Sequence, residues 1–595
     1  MTAFKELLAR TVAAGAFALA FATSAAARDA LDLPVVRPVV ACADLAQADV
    51  GQAADAPVTI TSAATVDTPK GAFCKVEGHV APSIGFEVDL PVARWTQRFL
   101  LGGCGGMCGM TRVGITNAGR CGPALDGEFV VAGDDMGHKG SMGGDDEATF
   151  GADPQKRIDF AYRGNHQTAL VAKALIRAYY GQAPRFSYFM GCSDGGREAL
   201  VEAQRYPEDF DGISAGAPAT LFVVQNSFYH AWSVLANQRA DGSNILLAGR
   251  TKILHDAVLA HCDTLSGVAD GVLQDPRACR VDPSWAQCPP GATDTARCLS
   301  AEEVAVARKL YAGPRDKDGR GFVIGGPEAG SEAQWMLPAG PDAASMSAGI
   351  ASRALRSLIM PTPDAAAGDL RNFSFDAESF RWVSAMAPLY DGTNTDLRPF
   401  DRRGGKLILW HGWSDTSVTP AISIAYYQGV QSALGAKATD DFLRLFLLPG
   451  VGHCGGGDGH AQVDLLTPLM AWTELKRAPT QLLTSKTAGG GMMGPGPMPP
   501  GPPPPPPAGG RLHADPFPGS PVASPDVPAL ATRPVYPYPA IARYVGHGDV
   551  NDAANYRPAA SPVPRPLVFD SWAATLIGPD NQKTWRVEGG ALVAN

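Results

Sequence analysis

The chain of 595 residues is 45% hydrophobic and carries a net charge of −9, enough apolar material for a large buried core. It has no basic cluster that would mark a nucleic-acid partner, and no segment reaches the roughly 18 uninterrupted apolar residues of a membrane helix. The expectation is a soluble protein with neither nucleic-acid nor membrane partners.

The chain opens with Lys5 and Arg10, an apolar run from Thr11 to Thr23, and Ala25-Ala26-Ala27 before Arg28. This reads as a signal peptide over 1–27, cleaved near Ala27, so the protein is expected to be secreted or periplasmic. In an oxidising compartment its eleven cysteines favour disulfides over metal thiolates. Residues 28–221 form a first core segment, in which apolar strands alternate with helical stretches from Phe99 to about Pro218: Phe99–Leu101, Glu128–Ala132, a helix over Thr168–Tyr180, a strand over Arg185–Met190, then a second helix. Residues 222–385 are irregular and cysteine-bearing, and read as an inserted lid. Strands resume over Lys406–Trp410 and Phe442–Leu448, and a helix over Leu465–Leu475 closes the second core segment, 386–483. Such alternation predicts an α/β fold with a mostly parallel sheet and helices on both faces. Residues 484–530 form a Gly/Met/Pro-rich linker that includes Pro502–Pro507. The Tyr/Pro-rich tail, 531–595, is expected to pack on the core.

Gly191-Cys192-Ser193-Asp194-Gly195 follows a strand and matches the G-x-S-x-G nucleophile elbow. Cys192 adjoins Ser193, and Cys454 adjoins His453. If the two cysteines are bonded, their Cα atoms lie about 5–6 Å apart, which brings Ser193 and His453 together. A hydroxyl nucleophile needs a base, and the base an orienting acid. His453, in a glycine-flanked loop after a strand, is the candidate base. His411, its rival at a strand end, reads as a buried, hydrogen-bonded histidine. The chain order Ser…Asp…His selects Asp415, just beyond the 406–410 strand. Acyl transfer also needs two oxyanion donors, expected from the Asp194 N–H and the glycine-rich loop Gly102–Gly106.

Several stretches together resemble the tannase/feruloyl esterase family: Ser187–Arg197, Gln204–Gly212, Ala215–Pro218, Leu407–Gly412 with Asp415, and Pro449–Cys454. The resemblance implies an α/β-hydrolase fold with a large inserted lid. It implies a secreted serine carboxylesterase acting on esters of aromatic acids, of tannin, feruloyl or terephthaloyl type, through an acyl-enzyme. Ser193, Asp415 and His453 would be catalytic, with Gly106 and Asp194 as oxyanion donors. It further implies the pairs Cys192–Cys454, Cys42–Cys74, Cys262–Cys279 and Cys288–Cys298.

A calcium loop in the lid is implied at Asp263, Ser266, Val268, Asp270 and Val272, with carboxylates from Asp263 and Asp270 and carbonyls from the two valines. Such an all-oxygen set suits Ca²⁺. Ser266 stands where relatives often have aspartate, a loss expected to weaken binding. Tyr536 and Pro558 stand in place of two cysteines that pair in the family. Cys104, Cys108 and Cys121 are left over. A Cys108–Cys121 bridge with one free thiol is the expectation, ahead of a zinc site with His138. Two alternatives stay open: a serine amidase or peptidase with the same triad, and a catalytically idle polyphenol- or carbohydrate-binding protein. The acid and alcohol depend on lid residues and are not named by the sequence.

Overall fold

The computed structural model describes residues 29–111, 113–114, 118, 121–140, 148–487, 528–563 and 566–595. The predicted signal peptide and most of the proline-rich linker lie outside these residues.

Nine strands build the central sheet: β1 (Val58–Thr68), β2 (Gly71–Val80), β3 (Ile84–Pro91), β4 (Arg98–Gly102), β5 (Phe129–Asp134), β6 (Phe186–Cys192), β7 (Gly212–Gly216), β8 (Lys406–Gly412) and β9 (Leu443–Leu448). Their order is β1-β2-β3-β5-β4-β6-β7-β8-β9. The first three run as an antiparallel meander that joins β5 antiparallel. From β5 through β9 every pairing is parallel.

The predicted strands fall within a residue or two of β4, β5, β6, β8 and β9. Buried parallel strands read as continuous apolar runs because both of their faces are covered. Leu407 and Leu409 point to one face, packing with α1 (Gly164–Tyr180) through Leu175 and with α2 (Asp194–Arg205) through Leu200. Ile408 and Trp410 point to the other, the strand alternation delivering successive side chains to opposite layers.

Between β7 and β8 the chain leaves the sheet. It forms α3 (Thr251–Cys262), α4 (Ala301–Ala312), α5 (Met346–Ala354) and several short turns. This segment has an apolar cluster of its own, in which Leu254, Val258, Leu299, Val304 and Leu310 pack with Trp335. The Cys262–Cys279 and Cys288–Cys298 bridges tie its connecting loops. After β8 come α6 (Pro420–Leu434), on the α1/α2 face through Ile424 and Val430, and α7 (Leu466–Leu475), on the opposite face through Leu469 and Trp472.

The tail returns to the body of the protein. β10 (Gln462–Val463), β11 (Leu482–Thr487) and β12 (Ala529–Val535) form a three-stranded antiparallel sheet. Residues 484–487 and 529–530, expected as linker, are therefore strand, because the tail supplies their pairing partners. Beyond it the Tyr538 N–H donates to the Leu445 carbonyl at 2.7 Å, fastening the tail along β9. Tyr536, one of the two residues in place of the family's paired cysteines, donates its hydroxyl to the Tyr556 carbonyl at 3.4 Å.

Candidate active site

β6 ends at Cys192 and α2 begins at Asp194, so the chain reverses within the single residue Ser193, which has φ 67° and ψ −120°. A non-glycine residue holds such a backbone only when its surroundings fix it. Here the Ser193 N–H donates to the Gly216 carbonyl on β7 at 3.0 Å. A Cβ on Gly191 would sit 2.3 Å from the Gly195 carbonyl oxygen, and one on Gly195 would sit 2.8 Å from the Cys104 carbonyl oxygen. The elbow is glycine-flanked because backbone meets backbone there.

His453 lies in the turn after β9, with 18% of its side chain exposed. Its Nε2 is 2.8 Å from Ser193 Oγ, and its Nδ1 is 2.7 Å from Asp415 Oδ2. Asp415, in the turn after β8, is fully buried. Its Oδ1 accepts the N–H groups of Ser417 and Val418 at 2.8 and 3.0 Å. All three residues singled out in the sequence are thus joined in one hydrogen-bonded chain. Cys192 and Cys454 are bonded with Cα atoms 5.9 Å apart, within the separation anticipated from the sequence.

The electrostatics follow from this geometry. Burial alone would raise the Asp415 carboxyl, but the His453 charge and the His411 hydrogen bond outweigh it and hold the group well below the usual carboxylate range. For His453 burial works downward, and the Asp415 charge and hydrogen bond reverse it, leaving the imidazole above its ordinary 6.5. His411 is buried as expected, yet it also belongs to the site. Its Nε2 faces Asp415 Oδ2 at 3.1 Å and the Val418 carbonyl at 3.0 Å. Its Nδ1 faces Ser423 Oγ at 2.8 Å. With two acceptors on one side, the proton belongs on Nε2, and the Ser423 hydroxyl donates to Nδ1.

Asp194 opens α2, so its N–H has no acceptor within the helix. Gly106 lies in the loop after β4, exposed and with φ 65°. This loop contains the one cysteine pairing that departs from expectation. Cys104 bonds Cys108, and Cys121 is left free and buried. Cys104 and Cys108 flank a tight turn, whereas the Cys121 sulfur points into the apolar layer, 3.6 Å from Met470 Sδ. Burial pushes its thiol up to about 12. His138 is not aimed at the cysteines: its Nε2 and Nδ1 face the carbonyls of Met107 and Met136, at 2.7 and 3.3 Å. Cys42–Cys74 and the two bridges between β7 and β8 form as expected.

The segment between β7 and β8 reaches the acid's loop. Tyr229 Oη donates to the Thr416 carbonyl at 2.9 Å, and Thr416 Oγ1 donates to the Gln334 carbonyl at 2.7 Å. His230 is nearby and buried. Desolvation first, and then the His453 charge, push it down to about 3, so it stays neutral. His230 carries no sequence motif that would have marked it, whereas His411 lies in the Leu407–Gly412 stretch, four residues before Asp415.

In the loop singled out for calcium, both Asp263 oxygens accept the Gly271 N–H, at 3.1 and 3.0 Å. Ser266 Oγ donates to the Val272 carbonyl at 3.4 Å and accepts the Gln274 N–H at 3.0 Å. Asp270 Oδ1 accepts the Val272 N–H at 3.3 Å. Asp270 Oδ2 is buried, receives no well-directed hydrogen bond, and lies 2.8 Å from the Arg533 guanidinium.

With this geometry in hand, known proteins give the site a context. A sequence model described as tannase and feruloyl esterase matches residues 66–559. The chain is 31% identical over 569 residues to mono(2-hydroxyethyl) terephthalate hydrolase of Piscinibacter sakaiensis, covering 85% of this chain and 87% of that one. It is 31% identical over 611 residues to an uncharacterized esterase of Xanthomonas campestris, covering 94% and 95%. Among solved structures, feruloyl esterase B from Aspergillus oryzae superposes with a TM-score of 0.68 at 23% identity, over 84% of this chain and 97% of that one. Tannin acyl hydrolase from Aspergillus niger gives 0.64 at 20% identity, over 86% and 94%. At these identities the two structures establish the shared fold. The chain belongs to the tannase and feruloyl esterase family, and it is a carboxylic ester hydrolase.

Proposed function

We propose that this hydrolase is a serine esterase cleaving esters of aromatic acids through an acyl-enzyme on Ser193. The observation that carries the reading is the unbroken chain from Ser193 Oγ through His453 to buried Asp415, at 2.8 and 2.7 Å. His453 takes the Ser193 proton as Oγ attacks the ester carbonyl, then returns it to the departing alcohol. Asp415 fixes the tautomer with the proton on Nδ1 and stabilises the imidazolium that forms. The N–H groups of Asp194 and Gly106 receive the developing oxyanion. A water activated by the same histidine then releases the acid.

The aromatic acyl group follows from the relatives' names, which speak of terephthaloyl and feruloyl esters. The segment over 222–385 acts as the lid that grips it, a role supported by the Tyr229 and Gln334 contacts to the Asp415 loop. Five disulfides support export to an oxidising compartment.

Structural calcium belongs to the same reading, held by Asp263, Asp270, the Ser266 hydroxyl and the Val268 and Val272 carbonyls. The donor chemistry fits: all are oxygens, and Asp270 Oδ2 lacks a directed donor. When bound, the ion would cross-link the lid loop and take no part in ester cleavage.

The test is a panel of methyl gallate, methyl ferulate, mono(2-hydroxyethyl) terephthalate and p-nitrophenyl acetate, run with wild type and Ser193→Ala. Turnover of at least one aromatic-acid ester is expected, falling by about 10⁴-fold or more in the variant. Serine-independent hydrolysis would overturn the assignment.

A further inference from the structure

The Cys104–Cys108 bridge differs from the other four in what touches it. Glu198, five residues beyond the nucleophile on α2, places Oε1 2.9 Å from Cys104 Sγ and 3.3 Å from Cys108 Sγ. Among the described residues no other bridge has a side-chain carboxyl against both of its sulfurs. Glu198 Oε2 accepts the Cys104 N–H at 3.1 Å and the Asn165 side-chain N–H at 2.8 Å. One carboxyl group therefore holds the oxyanion loop to the nucleophile helix and also faces the disulfide.

The loop's other fixings lie on either side of Gly106. His138 Nε2 faces the Met107 carbonyl at 2.7 Å, and the Gly140 N–H donates to the Gly109 carbonyl at 3.1 Å. The Gly103 N–H donates to the Met190 carbonyl at 2.9 Å, and the Cys108 N–H to the Gly105 carbonyl at 3.1 Å. Gly106 and Cys108 both hold positive φ, 65° and 61°. For cysteine that backbone is unfavourable, and the bridge closes the turn around it with Gly106 between the two cysteines. Cys104 is half-buried whereas Cys108 is buried, so Cys104 is the sulfur that solvent reaches more readily. Only a short loop is closed, so opening it leaves the rest of the fold standing.

We infer that Cys104–Cys108 is a thiol–disulfide exchange site, served by Glu198, whose opening frees the oxyanion loop and slows ester cleavage. The inference rests on the reading of the Gly106 N–H as an oxyanion donor. The co-reactant is a dithiol. One of its thiolates attacks the more exposed Cys104 Sγ, the S–S bond breaks, and Cys108 Sγ leaves with the electron pair. Glu198 gives its proton to that sulfur and is reprotonated from solvent, which has received the dithiol's protons. The dithiol's second sulfur then displaces Cys104, which takes up a proton as a thiol. The dithiol ends as a cyclic disulfide and the protein as two thiols, and the two-electron balance closes. Burial, and then the Asp194 charge, push the Glu198 carboxyl well above the usual range against the pull of Arg197. This keeps the proton on it for transfer. Asp194, paired with Arg197 at 2.6 Å, is the other carboxylate near the pair, with Oδ2 3.9 Å from Cys108 Sγ.

The test is graded reduction of the full-length protein with dithiothreitol, iodoacetamide trapping, peptide mass mapping, and kinetics on an aromatic-acid ester. Cys104 and Cys108 are expected to be alkylated first, with Cys192–Cys454 still bonded. At that stage kcat should be about tenfold lower and KM within about twofold, with recovery on reoxidation before trapping. The double variant Cys104→Ser/Cys108→Ser should show the lowered kcat without reductant and ignore the same dose. Glu198→Gln should slow alkylation of the pair several-fold. Earlier opening of another bridge, or an alkylated pair with unchanged kcat, would overturn the inference alone. An untreated enzyme without Ser193-dependent turnover would instead overturn the reading beneath it.

Discussion

At Asp415 one carboxylate oxygen faces two imidazoles, His453 at 2.7 Å and His411 at 3.1 Å, but only His453 also reaches Ser193. His411 is fully buried, its ring held by Ser423 and the Val418 carbonyl, so it serves the acid rather than the ester. In the proposed reaction His453 must be neutral to accept the serine proton, and its partner Asp415 raises its affinity for protons. The sign follows: lowering the pH protonates the base, and the acid limb of kcat/KM in the free enzyme should fall through a value above 6.5. A pH–rate profile on a neutral ester checks this, and a limb at or below 6.5 would contradict it. The choice between the histidines was legible because Cys454 marks His453. The second histidine's bond to Asp415 was not, because it depends on how β8 ends against α6, which residue types do not encode.

Among the elements, the elbow and the turn after β9 come from distant parts of the chain and meet through Cys192–Cys454, 262 residues apart in sequence. A bridge next to both Ser193 and His453 sets the spacing of their side chains directly. Replacing both cysteines with alanine should lower kcat by about 10²-fold, the cost of a misplacement near 1 Å. Far-UV circular dichroism should keep the wild-type sheet and helix signal. Activity and fold lost to the same extent would mean that the bond only holds the chain together. This pairing was readable because each cysteine adjoins a residue with a chemical role. The Cys104–Cys108 pairing was not, because three cysteines lie close together and their spacing permits more than one bridge. What decides it is the turn at Gly106, which brings two of them to Cα atoms 5.4 Å apart, while Cys121 turns into the layer with Met470.

Over the whole molecule, the parallel half of the sheet was visible as buried apolar runs. The antiparallel meander of β1 to β3 was less so, since β1 alternates partly buried with exposed residues and has no fully buried position. The helical segment between β7 and β8 read as irregular because its helices are separated by short turns, α3 and α4 packing on a small core of their own and α5 on a cluster shared with the body. The loop proposed for calcium touches the tail through Asp270 and Arg533, so ion binding there would tie the segment between β7 and β8 to the tail. Chelation with EDTA should therefore lower Tm by roughly a few degrees, and added Ca²⁺ should restore it, as for any ligand bound only by the folded state. An unchanged Tm would argue that Arg533 alone balances the loop.

The central claim is that Ser193 is the nucleophile, and covalent labelling tests it most directly. Incubation with a fluorophosphonate, followed by peptide mass mapping, should give one adduct per chain, on the peptide carrying Ser193. Ester hydrolysis should be lost in proportion, and labelling should be nearly absent in His453→Ala. An enzyme that keeps its activity unlabelled, or that carries the adduct on another residue, would contradict the account.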